Sequence, residues 1–312
     1  MAVPPQSKSG DARSATLLLV ALSFCWGLAW PAMRIGLDQL SPWTLRFFGY
    51  SIASLTLLAL IRIQGRSIAI PRSAWLHVVV ASFPNVISFG LFGTFAQLSA
   101  STSRVIIINY SMPIWANLMA WLLFRERITP RVALALALCI GGLAVLVYPV
   151  WEASLSEPVG LMLAMGCALS WAAGTIYMKW ARIEGDLLAI TFWQVIVGVA
   201  VFAVGVLIFR SPIAFEPLHW RTILAVLYSG MFGTGIAYFI WFNIIGRLPT
   251  TTASLGSLAN PVVGVIGSTI LLGETLSRND MIGFALIFAA AACVLLPQRD
   301  KIPVPKISEP TS

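Results

Sequence analysis

Tyr110-Ser-Met-Pro-Ile-Trp-Ala-Asn-Leu-Met-Ala-Trp-Leu-Leu-Phe-Arg-Glu-Arg127 is an apolar helical stretch with Pro113 near its start and Glu126 at its end. The arrangement returns 148 residues later, where Pro261 answers Pro113 and Glu274 answers Glu126. The frame holds on both sides: Thr102-Ser103 aligns with Thr250-Thr251, Ile128-Thr129 with Leu276-Ser277, and Leu138 with Leu286. A long fixed period identifies a duplicated structural unit. The chain is read as two copies of one unit.

Composition sets the solvent. Of 312 residues, 58% are hydrophobic and 10% charged, against about 25% charged in a soluble domain. Uncharged runs such as Ala15–Met33, Val105–Phe124, Leu187–Phe209 and Thr222–Gly246 match the roughly 20 residues that cross about 30 Å of hydrocarbon. The reading predicts ten helices, near 15–37, 42–62, 74–98, 103–124, 131–149, 158–180, 187–209, 220–246, 250–272 and 279–297. Residues 1–14 and 298–312 read as cytoplasmic tails, and Ala15–Met33 as a first span rather than a cleaved leader.

The expected fold class is therefore an all-α polytopic membrane protein of ten transmembrane helices, in repeats 15–149 and 158–297. Five helices per repeat force the second copy upside down relative to the first. Inverted repeats of this kind belong to secondary transporters, whose sites lie near the midplane between the copies.

The net charge of +8 would suggest nucleic acid in a soluble protein; here it follows the positive-inside rule. With the N-terminus in the cytoplasm, 14 of the 20 Lys and Arg residues fall on the cytoplasmic side. Both termini are expected there, with the lipid bilayer as partner, no nucleic acid, and self-association into a homo-oligomer left open. The four cysteines, Cys25, Cys139, Cys167 and Cys293, form no C-x-x-C pair and read as small apolar packers.

The sequence places no Asp or Glu at mid-membrane, which speaks against a carboxylate-coupled pump and against a metal-dependent hydrolase. No metal site, cofactor or catalytic residue is expected. Glu126 and Glu274 either lock a gate or fix helix ends at the interface. His77 either faces the pathway or lies at the interface. Uncharged polar residues within spans, among them Ser23, Asn85, Ser88, Asn109 and Thr175, need partners in hydrocarbon and either join helices or line a polar cavity. Trp26 and Trp171 lie too deep for an interfacial belt and wall a pocket or pack the core; Trp30 belongs to the same cluster. Pro113 and Pro261 are expected to break helical hydrogen bonding and act as hinges.

Ser23-x-x-Trp26-Gly27, the two Pro–Glu helices and the five-helix duplication resemble the drug/metabolite transporter superfamily, and within it the EamA family, including the YddG-type exporters of aromatic and other amino acids. The resemblance spans the chain apart from its tails. It implies a central cavity surrounded by the first four helices of each half, with Trp26, Asn85, Tyr110, Trp171 and Tyr238 near a pathway. It also implies a bacterial inner-membrane exporter of amino acids as small-molecule substrates. Ala173 stands where a second Trp26 would fall, and Ser257-Leu258 where Asn109-Tyr110 would fall, so the substrate contacts are not expected to be symmetric. The alternatives are an exporter of drugs or other small metabolites and, in another class, a polytopic membrane enzyme. The latter needs clustered carboxylates, histidines or arginines at one face, and none is evident.

Overall fold

The computed structural model describes residues 9–125, 129–148, 156–210, 217–245 and 258–295. Among them all regular structure is helical. In chain order the helices are α1 (Ser9–Gly36), α2 (Pro42–Ile63), and α3, which runs through Ala74–Ser82, Phe83–Ser88 and Phe89–Ser99. Then come α4 (Thr102–Asn109 and Met112–Phe124), α5 (Pro130–Val147), α6 (Ser156–Ala181) and α7 (Leu187–Ile208). Helix α8 runs through Trp220–Gly230, Met231–Ile236 and Ala237–Ile245, followed by α9 (Ala259–Leu272) and α10 (Arg278–Leu295).

Eight of these, α1 to α8, are long and apolar enough to cross a membrane. Helix α9 is apolar but has 14 described residues, because the start of the expected 250–272 span lies outside the described residues. Helix α10 has 18 residues and opens with Arg278 and Asp280. Large aliphatic side chains face outward, with Leu76 69%, Met162 73% and Leu207 76% exposed. A water-facing surface does not carry such a belt. The chain is an all-helical, multi-pass membrane protein.

Local sequence explains where the helices start and stop. Asp186 caps α7 by accepting from the N–H groups of Leu188 and Ala189, and Ser41 and Thr129 do the same for α2 and α5; a capping oxygen satisfies donors that the first turn leaves unpaired. Pro42 and Pro130 occupy first-turn positions, where the missing N–H costs nothing. Helices α4 and α9 stop at left-handed residues 148 apart, Arg125 (φ 55°) and Gly273 (φ 69°), a backbone that glycine adopts without strain.

Two expectations needed correction. Helix α4 is interrupted at Tyr110-Ser111, after which Met112–Phe124 restarts with Pro113 in its first turn. Pro261 is likewise the third residue of α9. Both prolines start helices instead of breaking their interiors. Helix α1 begins at Ser9, inside the stretch read as a tail. Helices α3 and α8 each widen to π-helical hydrogen bonding, over Phe83–Ser88 and Met231–Ile236. Pro84 supplies no N–H to an α ladder, and Gly233 and Gly235 are poor α formers; both conditions favour the looser turn. The two segments lie 148 residues apart at either end, as do the bounds of α5 and α10.

The principal packing joins one half to the other: α5 along α10, α1 along α9, α2 along α7, α3 along α6, and α1 along α8. Small residues allow the closest approaches. A Cβ on Gly27 would lie 2.8 Å from Val263, and one on Gly174 would overlap the Asn85 carboxamide. Buried Trp30, Ile106, Ile107, Leu161, Val265 and Ile287 fill the space between the halves.

Gly174→Leu is expected to destabilise the protein by more than the about 1–3 kcal/mol typical of overpacking, because the neighbour is a hydrogen-bonded amide and not a mobile tip. Gly141→Ala, where the added Cβ meets nothing within 4 Å, should leave the melting temperature unchanged. Thermal unfolding of both variants in detergent checks the pair.

Candidate functional site

Two spaces lie between the halves. One, of about 690 Å³, is an open polar vestibule among helix ends, lined by Arg34, Asp38, Gln39, Gln97, Glu157 and Glu274 among others. The other, of about 350 Å³, is a central chamber to which α1, α2, α3, α4, α6, α7, α8, α9 and α10 all contribute side chains. Gln97 lines the vestibule, Trp30 lines the chamber, and a hydrogen bond from Gln97 Nε2 to the Trp30 carbonyl joins the two layers.

The chamber wall carries a collar of rings that begins and ends on α1. Trp30 of α1 meets Phe89 of α3 at 6.2 Å, and Phe89 meets Trp171 of α6 at 5.1 Å. Trp171 stacks on Tyr238 of α8 at 6.3 Å, and Tyr238 returns edge-on to Trp26 of α1 at 6.3 Å. Aromatic pairs add about 0.5–1.5 kcal/mol beyond their buried area, so the collar holds four helices in register. It also presents apolar ring faces to whatever occupies the chamber.

Polar groups punctuate this wall. Asn85, on the π segment of α3, donates through Nδ2 to Gln194 Oε1 at 3.1 Å. Tyr110, at the α4 interruption, lines the chamber together with Asn260 of α9. Among the described residues the buried amide oxygens of Asn109 and Asn260 have no hydrogen-bond partner. Both residues line the chamber. Buried acceptors are nearly always satisfied, and these two are exceptions at residues of the lining.

Eight expected site residues line the chamber: Trp26, Trp30, Asn85, Asn109, Tyr110, Trp171, Thr175 and Tyr238. Pro113 and Pro261 line it too, at the first turns of their helices. Three others lie elsewhere. The Ser23 hydroxyl donates to the Leu19 carbonyl within α1. Ser88 ends the π segment of α3 and is not a lining residue. The His77 ring is hydrogen-bonded to Tyr177 Oη at 2.8 Å, joining the start of α3 to α6.

Charges gather at helix ends on two faces. On the first, Glu274 accepts from Thr102 N at 2.7 Å, Ser103 N at 2.9 Å and Ser103 Oγ at 2.6 Å. A carboxylate there satisfies orphan donors and complements the helix dipole. Arg104 next to it binds Asp280 at 2.6 Å and also Glu157, and Gln39 Oε1 accepts from Thr222 Oγ1 at 2.6 Å. The second face carries the His77–Tyr177 contact and an Arg66–Asp186 ion pair at 3.1 Å. Each contact joins one half to the other. Glu126, paired with Glu274 in the sequence, lies outside the described residues.

Sequence reading missed Arg46. It lines the chamber from α2, although its place five residues into a helix suggested an interfacial flank. The available signal was an arginine among Leu45, Phe47 and Phe48, with no carboxylate one turn away on its own helix. Among the described residues no group of three or more His, Cys, Asp or Glu could hold a metal.

The sequence profile of the EamA-like transporter family matches residues 13–148 and again 158–296. The "Probable amino-acid metabolite efflux pump" of Salmonella typhimurium is 24% identical over 288 residues, covering 89% of this chain and 93% of its own length. The Escherichia coli protein of the same description is 24% identical, covering 88% and 92%. A solved crystal structure superposes with a TM-score of 0.60 at 24% identity, over 90% of this chain and 96% of its own, which is a likeness of fold. With both halves matched by one profile, the chain belongs to the EamA-like transporter family.

Proposed function

We propose that this protein is a bacterial inner-membrane secondary transporter that exports amino acids with apolar or aromatic side chains. The observation that carries the reading is the aromatic collar, which runs across both halves around a chamber with no Asp or Glu among its described lining residues. A chamber of about 350 Å³ falls within the range of small-molecule sites, about 300–1,000 Å³. The efflux pumps named above support the amino-acid class. The rival, an exporter of cationic drugs, would favour a buried carboxylate, and among the described residues the charged group lining this chamber is Arg46.

In this reading α9 and α10 complete ten spans, and residues 15–149 and 158–297 form inverted five-helix halves. Both termini lie in the cytoplasm, so the face bearing Glu274 and Arg104 is periplasmic. Alternating access then consists of rocking one half against the other. The Glu274 and Arg104 contacts hold the periplasmic face while the His77–Tyr177 and Arg66–Asp186 contacts release, and the reverse. Tyr110-Ser111 and the π segments are the places where the helices bend.

Purified protein in liposomes should take up labelled aromatic and apolar amino acids that compete with one another, assayed with and without a proton gradient. Failure of every amino acid to move would overturn the substrate class. Trp171→Ala should raise the KM for phenylalanine by about tenfold, since a lost ring contact of about 1–1.5 kcal/mol corresponds to that factor. Glu274→Gln turns an amide N–H toward the Thr102 and Ser103 donors. It should lower stability by about 1–3 kcal/mol and slow uptake more than it changes KM, as thermal unfolding and initial rates will measure.

A further inference from the structure

We propose that Arg46 is the recognition residue of the chamber and takes the carboxylate of the transported molecule, so that the protein selects an apolar body bearing an anionic headgroup. The inference rests on the chamber being the transport site, as argued above, and adds what the chamber discriminates.

The argument starts from charge. Arg46 comes from the first turns of α2 and lines the chamber. Its Nε donates to the Gly90 carbonyl at 3.0 Å and to Thr94 Oγ1 at 2.5 Å, and Nη2 faces Met33 Sδ at 2.7 Å. The Tyr50 ring lies 5.6 Å from Cζ. Every one of these neighbours is neutral. Among the described residues Arg46 joins no ion pair, while Arg34 and Arg66 each have one and Arg104 has two.

A guanidinium carries five N–H donors in a planar fork. The neutral contacts occupy Nε and one side of Nη2, and among the described residues Nη1 has no acceptor. A charged group within the membrane is costly and marks a site unless a partner compensates it. Holding α2 against α3 through a carbonyl and a hydroxyl needs only a donor. The remaining donors fit a planar two-oxygen anion, which arginine binds bidentately. The collar beginning at Trp30 and Phe89 then receives the apolar body.

The test uses the full-length protein and three probes sharing one phenyl ring. L-Phenylalanine has both headgroups, 3-phenylpropanoate only the carboxylate, and phenethylamine only the ammonium. In detergent at neutral pH, the two carboxylates should raise the melting temperature and phenethylamine should not. Equal stabilisation by phenethylamine, or none by either carboxylate, overturns the proposal. In liposomes, Arg46→Gln should raise the KM for phenylalanine by about tenfold or more, the loss of one charged headgroup contact, and Arg46→Lys should recover part of it. An unchanged KM in Arg46→Gln overturns the proposal. If that variant fails to fold, the three probes on the unaltered protein decide. Binding and uptake of 3-phenylpropanoate without uptake of phenylalanine would uphold the headgroup assignment while removing the amino-acid substrate. Phenylalanine uptake competed equally by phenethylamine would do the opposite.

Discussion

Hydrocarbon offers no hydrogen bonds, and that constraint governs every part of this molecule. Main-chain polar groups must be satisfied within the protein, which leaves helices as the spanning element for a chain of this pattern. Departures from the α ladder are tolerated only where protein or a cavity receives the freed groups. The interruption at Tyr110-Ser111 lies beside the chamber, and so do Asn85 on one π segment and Gly233 and Thr234 on the other. Irregular backbone and binding space coincide because the second is what permits the first.

The same constraint sorts the charges. Glu157, Glu274, Asp280 and Arg104 work at helix ends, where carboxylates meet N-terminal donors or an arginine. Arg104 and Asp280 are largely buried there and compensate one another, and the contacts cross from one half to the other. The interior is left to rings, amides and one guanidinium, a composition suited to holding a molecule briefly and letting it leave.

Much of this was legible in the sequence. Hydropathy marked the helices, because a helix apolar on all sides has few alternatives to lipid. The fixed spacing marked the two halves, and the depth of Trp26 and Trp171 marked the wall of the chamber. The remainder depended on information that one-dimensional patterns do not carry. Whether Pro113 breaks a helix or begins one depends on where the preceding turn closes. His77 reads as a pathway candidate until Tyr177, a hundred residues away, takes its ring nitrogen. Arg46 reads as a flank because hydropathy reports depth and not direction. Its inward turn requires the Gly90 carbonyl, and the absent side chain of Gly90 also leaves room for Tyr50, whose hydroxyl would lie 3.2 Å from a Cβ there.

The widened turns in α3 and α8 have a consequence for how the chain tolerates changes in length. From Phe83 to Val147 the first half keeps a spacing of 148 to the second, through the π segments, the left-handed stops and the last helices. Helices α2 and α7 instead stand 145 apart at both ends. One residue of the three-residue difference falls in the connections after α2 and α7, since α3 and α8 start 146 apart, and two fall in the helical turns before the π segments. Downstream of that segment, a single inserted residue would rotate the following helix by about 100° and carry its chamber-facing side chains into lipid. From the π segments onward the two halves are thus matched in length as well as in sequence pattern.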